Sequence, residues 1–228
     1  MQTETTRTAE RTAFGMLMTL AAGAMDAYSY LDCGKVFATG QTGNFVLLGL
    51  RLAGGDWAGV LHYAAPIACF WAGVFLASHL LYRFFAQDRD GWSLGILCAE
   101  TLLFAGLALL PAGVPDLPRN AVISLCAAMQ FCCFRQLPGG AAYASVFCTG
   151  NMRSCAEALY LGLVQRVPGE RRKAGRYASV LASFLAGVLL GVLNDRLLGR
   201  RGAAVIAGLL FLAALILRAS DRPRRARA

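Results

Sequence analysis

The sequence predicts an all-α integral membrane protein with six transmembrane helices and two shorter half-helices, organised as two pseudo-symmetric repeats in inverted orientation. Three observations support this fold class: an apolar composition, apolar segments of membrane-spanning length, and a polar tripeptide that occurs twice. Of the 228 residues, 57% are hydrophobic and 15% are charged, and the mean hydropathy is +0.53. This apolar content exceeds what one soluble core of this size can bury.

Six apolar segments each approach the roughly 20 residues that cross the hydrocarbon core of a bilayer. They lie at residues 13–31, 58–82, 92–110, 119–137, 173–198 and 202–217. The first segment follows a short polar leader with Arg7 and Arg11. It is longer than the apolar core of a signal peptide, and further spans follow it, so we expect an uncleaved first helix.

The tripeptide Thr-Gly-Asn opens two apolar runs. It occurs first as Thr42, Gly43 and Asn44 and again as Thr149, Gly150 and Asn151. The similarity of the two halves extends to Met25 and Met129 and to the stretches that begin at Phe70 and Phe184. Self-similarity of this kind indicates an internal duplication.

A short helix is predicted after each triplet. Residues 44–53 would span roughly 15 Å, about half of the hydrocarbon thickness. Residues 151–165 carry Arg153 and Glu157 on one helix face, which is a poor composition for facing lipid. Both are therefore interpreted as half-helices. Each repeat then holds three full spans, an odd number, so the second repeat must enter the membrane inverted.

The distribution of basic residues predicts the sidedness of a single membrane domain over residues 1–228, with repeats at about 13–112 and 118–218 and an Arg-rich tail at 219–228. Most of the 22 Lys and Arg residues fall in segments predicted to be cytoplasmic when the N-terminus is inside. Both termini are therefore expected in the cytoplasm, although the loop from Arg196 to Arg201 departs from the rule. The net charge of +9 then lies beside a lipid bilayer, and no nucleic-acid partner is expected. The tail either contacts anionic headgroups or is a plain stop-transfer flank.

The triplets are the first candidate binding site. Asn at an N-cap accepts a hydrogen bond from the first helical turn, and the remaining free N–H groups must face polar protein, water or a ligand. Two inverted half-helices would direct their positive ends at one point near the midplane, where a small polar or anionic solute could bind. The alternative is that each triplet is a purely structural cap.

Asp26 and Gln130 occupy corresponding positions in the two repeats and complete the predicted site. A carboxylate within a span is costly unless it is paired, protonated or hydrated, so Asp26 is a site candidate. A structural hydrogen bond to the nearby turn is the alternative interpretation. Glu100 lies near the middle of the third span and is interpreted as a protonated interhelical hydrogen bond or a proton relay. Its candidate partners are His62, His79 and Arg153.

No metal site, cofactor or enzymatic activity is predicted. The eight cysteines contain no C-x-x-C pair, and His62 and His79 lie far apart in one helix. Neither a nucleophile motif nor a phosphate loop occurs. Cys132 and Cys133 would be the only basis for a redox reaction.

Small residues predict where helices touch. Gly187 and Gly191 form a G-x-x-x-G pair, and Gly73 and Ala77 repeat its spacing in the first half. We expect these two spans to cross each other closely at the pseudo-symmetry axis, with a homo-oligomer contact as the alternative.

The stretch "AGAMDAYSYLDCGKVFATGQTGNFVLLGLRLAGGD", together with the later "AMQFCCFRQLPGG" and "SVFCTGNMRSCAEAL", resembles the YoaK-like family, bacterial six-span inner-membrane proteins classified as a domain of unknown function. The resemblance covers residues 14–217. The positions that match are Gly23, Asp26, Tyr30, Phe37, the first triplet, Gln130, Thr149 and Gly150, whereas Asn151 departs from the family pattern. The resemblance implies a fold and the plasma (inner) membrane of a bacterium, but no activity.

The leading functional hypothesis is a permease or channel whose midplane site comprises the two triplets, Asp26 and Gln130. A non-transporting scaffold or sensor that acts through its basic cytoplasmic segments is the alternative.

Overall fold

A computed structural model describes residues 11–111 and 113–225, with side chains up to Ser220. The leader residue Arg7 and the side chains of the Arg-rich tail lie outside the described residues. Within them the chain forms eight α-helices, a 3-10 turn and one pair of two-residue strands. The helices are α1 (Thr12–Asp32), α2 (Gln41–Ala53), α3 (Trp57–Phe84), α4 (Arg89–Leu109), α5 (Asp116–Cys133), α6 (Cys148–Leu163), α7 (Glu170–Leu198) and α8 (Ala203–Arg225). The strands β1 (Gln136–Leu137) and β2 (Ala141–Ala142) pair antiparallel, and the turn Gly199–Gly202 joins α7 to α8.

Three segments of the described chain are long and apolar enough to cross a membrane: Trp57–Phe84, Arg89–Leu109 and the nearly continuous Glu170–Ser220. An all-helical membrane protein is therefore supported. The helices α1 and α5 do not meet the same criteria. Small and polar residues dilute the hydropathy of α1, and α5 begins with Asp116 and buries Arg119 and Asn120. Only part of the six-span prediction is thus borne out by length and composition.

The short helices are longer than the sequence predicted because each begins before its triplet. The helix α2 has 13 residues and starts at Gln41, and α6 has 16 residues and starts at Cys148. At 1.5 Å per residue they measure roughly 20 and 24 Å, which is less than the hydrocarbon thickness.

The principal helix contacts run between the two halves of the chain. The helix α1 packs along α7, and α5 packs along α3. Within each half, α2 lies on α3 and α6 lies on α7. Between the halves, α1 also contacts α8, and α5 contacts α4. Each of these contacts has its counterpart when α1 to α4 are exchanged with α5 to α8. The helices α4 and α8 also pack on each other, and exchanging the two halves leaves this contact unchanged.

The glycine pairs contact different helices from those predicted. A Cβ atom at Gly187 would collide with the carbonyl oxygen of Leu20 on α1, and one at Gly23 would collide with that of Phe184 on α7. On α3, a Cβ atom at Gly73 would lie 2.6 Å from the carbonyl oxygen of Leu125 on α5. The expectation that α3 and α7 cross each other closely is therefore wrong. The small residues permit each of them to approach a helix of the opposite half instead.

Gly191 and Ala77, one helical turn after Gly187 and Gly73, also lie at contacts. A Cβ atom at Gly191 would lie 2.5 Å from the Cβ atom of Ala27 on α1. Ala77 is fully buried, and its carbonyl oxygen accepts a hydrogen bond from the Trp92 indole at 3.1 Å.

Two arginines, Arg119 and the half-buried Arg200, stabilise the end of the bundle at which α1 and α7 terminate. Arg119 is fully buried and donates hydrogen bonds to the Tyr28 hydroxyl and to the carbonyl oxygens of Leu107 and Pro111. Arg200 forms an ion pair of 2.7 Å with Asp116. The loop that departs from the positive-inside rule therefore contains an arginine whose charge is compensated within the protein, and that arginine is a poor guide to sidedness.

Candidate functional site

Two irregular segments, residues 36–40 and 143–147, lead into the short helices and meet at Thr39 and Val146. The Thr39 hydroxyl oxygen lies 3.2 Å from the Val146 carbonyl oxygen. Each of these residues stands three positions before the threonine of a triplet. The two segments therefore touch at equivalent positions, and we call this contact the crossing point.

Asn44 and Asn151 hold the two segments in the same way. The Asn44 amide accepts a hydrogen bond from the Phe37 N–H at 3.2 Å and donates one to the Phe37 carbonyl oxygen at 2.8 Å. Asn151 makes the same pair of bonds with Ala144, at 3.0 and 2.8 Å. In both cases the partner is the residue seven positions earlier. Both asparagines are almost completely buried, with exposed fractions of 0% and 2%.

These bonds correct the predicted role of the asparagines. The N-cap residues are Gly40 and Phe147, and no side chain caps either helix within the described part of the chain. Asn44 and Asn151 lie four residues into their helices, so the expectation that they act as N-caps is wrong. They bind the preceding segment to the helix, and each helix start is left without a side-chain cap. The positive ends of α2 and α6 thus remain available to a ligand.

The other triplet residues lie at the surface of the first helical turns. Thr42, Thr149 and Gly150 are exposed, and Gly43 is half-buried under the ring of Phe37. Their backbone groups belong to the uncapped turns of α2 and α6. The triplets therefore combine one structural residue, the asparagine, with two residues that remain accessible.

Asp26 belongs to the crossing point through Thr39. Its carboxyl group accepts hydrogen bonds from the Thr39 N–H at 3.0 Å and from the Thr39 hydroxyl at 2.7 Å. Asp26 is half-buried and lies near the Cys148 thiol at the start of α6. Thr39 is fully buried. It could not be identified from the sequence alone, because it precedes the triplet and lies in no periodic pattern.

Gln130 does not join Asp26. Its side-chain amide donates to the Met18 carbonyl oxygen at 3.0 Å, and its backbone carbonyl accepts from the Ser145 hydroxyl at 3.4 Å. Gln130 is thus linked to the crossing point only through the segment that contains Ser145. Asp26 and Gln130, which the sequence predicts to correspond, therefore make different contacts in the structure.

Glu100 is fully buried, and neither carboxyl oxygen has a hydrogen-bond partner among the described residues. Its neighbours on α5 are Gln130, Cys126 and Cys133. The candidate partners from the sequence lie elsewhere: His62 contacts Gly34, His79 packs between Phe75 and Phe84, and Arg153 is exposed. The expectation that one of these three side chains pairs with Glu100 is therefore wrong.

The loops after α1 and α5 are held by similar hydrogen bonds. A ring nitrogen of His62 on α3 lies 2.8 Å from the Gly34 carbonyl oxygen. Arg176 on α7 donates to the Pro138 carbonyl oxygen at the same distance. Each of these residues precedes a buried tyrosine, Tyr63 or Tyr177. The two halves thus share the way in which the loop before each crossing segment is fixed.

Two further features of the described chain were compared with the crossing point: a surface cleft, and the arrangement of residues that could bind a metal ion. A cleft of about 780 Å³ lies between the ends of α4 and α7, lined by Leu109, Pro111, Arg200 and Arg201 among others, and it shares no residue with the crossing point. Within residues 11–111 and 113–220, no group of three His, Cys, Asp or Glu residues is arranged to hold a metal ion.

Comparison with known proteins agrees with the resemblance stated above. The sequence model of a family described as "Protein of unknown function (DUF1275)" matches residues 14–217. A relative from Bacillus subtilis strain 168, described as "UPF0700 transmembrane protein YoaK", is 28% identical over 158 residues, which is 67% of this chain and 68% of the relative. No solved structure matches the chain.

Proposed function

The chain belongs to the DUF1275 family of proteins of unknown function, and we propose that it is a permease or channel for a small polar or anionic solute, with its binding site at the crossing point. The contact between Thr39 and Val146, beside two uncapped helix starts, is the observation that carries this proposal. The proposal includes six spans, two inverted repeats, and both termini in the cytoplasm of a bacterial inner membrane.

Three features support the inverted repeats. The main helix contacts are preserved when the two halves are exchanged. Asn44 and Asn151 make the same pair of backbone hydrogen bonds, and His62 and Arg176 hold equivalent loops. Helices that did not arise by duplication would not be expected to share all three features, whereas the two copies of a duplicated unit would retain them. Repeats of this kind, with broken helices near the midplane, are a common architecture of membrane transporters.

The chemistry of the crossing point supports a small polar solute. Each uncapped helix start presents backbone N–H groups and a partial positive charge. Asp26 adds a carboxyl group between them, held by Thr39. Donors from two helices and an acceptor from a third would bind a solute that carries both kinds of group.

The proposal is tested by flux into liposomes that contain the purified protein. Water, glycerol, urea, formate and nitrate serve as probes, and light scattering follows the volume change of the liposomes. Asp26→Asn is the site variant. Its control is Asp56→Asn, because Asp56 is the half-buried N-cap of α3, away from the crossing point, and asparagine is an equally good cap. We expect a flux of at least one probe that is lost in Asp26→Asn and retained in Asp56→Asn.

Equal scattering changes in protein-containing and empty liposomes for every probe would contradict the permease. The scaffold or sensor would then be the better account. It predicts that the phenotype depends on residues 222–227 of the tail and not on Asp26.

A further inference from the structure

One hydroxyl group at the crossing point lies between two acceptors. The Thr39 oxygen is 2.7 Å from a carboxyl oxygen of Asp26 and 3.2 Å from the carbonyl oxygen of Val146. A threonine hydroxyl has one proton, so it can donate to only one of them at a time. Which bond forms therefore depends on whether Asp26 itself carries a proton.

The two protonation states of Asp26 give different connections between the halves. An ionised Asp26 only accepts, so Thr39 donates to it, and the oxygens of Thr39 and Val146 face each other without a proton between them. A protonated Asp26 donates to Thr39, whose own proton then becomes available to Val146. The neutral form thus links α1, the first crossing segment and the second crossing segment in one hydrogen-bonded chain.

We infer that Asp26 is a proton-binding site, that its protonation closes the crossing point through Thr39 and Val146, and that solute passage is coupled to this proton. The coupling rests on the proposed function, whereas the proton-dependent bond does not. The proton enters from water at the half-buried carboxyl group and returns to water, so only an O–H bond forms and breaks.

The surroundings of Asp26 contain features that favour each protonation state. The starts of α2 and α6 favour the carboxylate through their partial positive charge, and burial favours the neutral carboxyl group. From neighbouring elements, Thr39 donates two hydrogen bonds, and Cys148 on α6 is the nearby ionisable group. No Lys, Arg or His acts on Asp26 among the described residues. A carboxyl group under both influences can exchange its proton during a transport cycle.

Amide hydrogen exchange of the full-length protein, measured by mass spectrometry, tests the inference without knowing the solute. Peptides that cover residues 36–40 and 143–147 are compared between about pH 5 and about pH 9, the range in which buried carboxyl groups titrate. Rates are corrected for the intrinsic pH dependence of exchange. In the wild type we expect both segments to exchange several-fold more slowly at the lower pH, the order expected for one added hydrogen bond.

The variants separate the proton-dependent bond from general destabilisation. Asp26→Asn has an amide donor in place of the acid proton, so both segments should exchange slowly at both pH values. Thr39→Val has no hydroxyl, so both should exchange fast at both values, and Thr39→Ser should behave as the wild type. Peptides from α8 serve as an internal control because they lie outside the crossing segments.

A wild type without pH dependence, or an Asp26→Asn variant with the wild-type dependence, would overturn the inference. If Thr39→Val fails to fold, the comparison of wild type with Asp26→Asn decides alone. Flux is then measured at the same two pH values. A pH-dependent crossing point without flux of any probe removes the permease and leaves the proton site. A flux insensitive to pH with no change in exchange removes the proton site and leaves the permease.

Discussion

The hydroxyl oxygen of Thr39 lies 3.2 Å from the carbonyl oxygen of Val146, although 107 positions separate the two residues. Each stands three positions before the threonine of its triplet. Two copies of one position can touch only at the axis that relates them. The axis of the proposed repeats therefore passes through the crossing point, where Asp26 supplies a carboxyl group.

Removing the Thr39 hydroxyl should impair transport more than folding. Thr39→Val keeps the shape of the side chain but loses the hydrogen bond to Asp26 and the contact with Val146. We expect about 1–2 kcal/mol of lost stability, because a buried acceptor is left without its donor. Thermal unfolding in detergent measures this loss, and liposome flux should fall by at least about tenfold, the factor that corresponds to about 1.4 kcal/mol.

The matched control is Thr101→Val on α4. The Thr101 hydroxyl donates only to the Leu97 carbonyl oxygen of its own helix, so its loss should leave flux unchanged. Equal flux in Thr39→Val and in the wild type would contradict a site at the crossing point.

Asn44 and Asn151 should be equally important for stability. Asn44→Asp and Asn151→Asp keep an acceptor but lose the amide donor that binds the carbonyl oxygen seven residues earlier. Each also places a charge at a buried position. We expect each variant to lose about 3 kcal/mol or more, with similar losses at the two positions. Thermal unfolding checks this, with exposed Thr42→Val as the control. Two tolerated aspartates would show that these bonds do not hold the segments.

The sequence identifies the two triplets as a repeated feature, but it does not predict the hydrogen bonds that their asparagines make. An asparagine near a helix start is compatible with an N-cap and with a bond to the preceding segment. The choice depends on the course of residues 36–40 and 143–147, which have no periodic pattern to indicate it. Thr39 and Val146 were missed for the same reason, because their significance arises only when the two segments meet.

The sequence also could not predict which helices contact each other. The spacing of Gly187 and Gly191 correctly indicates a face that approaches another helix closely, since a Cβ atom at either position would crowd α1. It contains no information about which helix that is. Sequence similarity between α3 and α7 suggested that they meet, whereas duplicated helices can equally well occupy equivalent places apart from each other.

Gly187→Ala should destabilise the protein because the added methyl group would collide with the Leu20 carbonyl of α1. We expect a loss of about 1–3 kcal/mol, the usual cost of overpacking. Gly208→Ala on α8 is the control, because nothing lies within 4 Å of the added atom. That variant should be neutral or more stable by about 0.5–1 kcal/mol, since alanine favours the helix. Equal unfolding temperatures for both variants would contradict the close contact of α1 and α7.

Glu100→Gln should preserve the fold and its stability. Glu100 is fully buried and has no partner among the described residues, so a charge there would cost about 2.5–3.5 kcal/mol at the centre of a span. We therefore expect its carboxyl group to be neutral, and glutamine has the same shape without the charge. Glu100→Lys should prevent the helix bundle from folding, because it places a positive charge at the same buried position. A large loss of stability in Glu100→Gln would indicate a charged Glu100 with a partner outside the described residues.

The topology of the short helices can be decided by labelling single cysteines in a cysteine-free background. Lys35→Cys, Gly55→Cys and Gly139→Cys each lie at an exposed loop position. If α2 re-enters, residues 35 and 55 lie on one face of the membrane, and inverted repeats place residue 139 on the other. An impermeant maleimide on intact cells should then label Lys35→Cys and Gly55→Cys, and should label Gly139→Cys only after permeabilisation.

If α2 spans the membrane, residue 55 is cytoplasmic and residue 139 is outside. Gly139→Cys would then be labelled on intact cells, and Gly55→Cys only after permeabilisation. That outcome would place the starts of α2 and α6 at membrane surfaces, and a shared midplane site would be excluded.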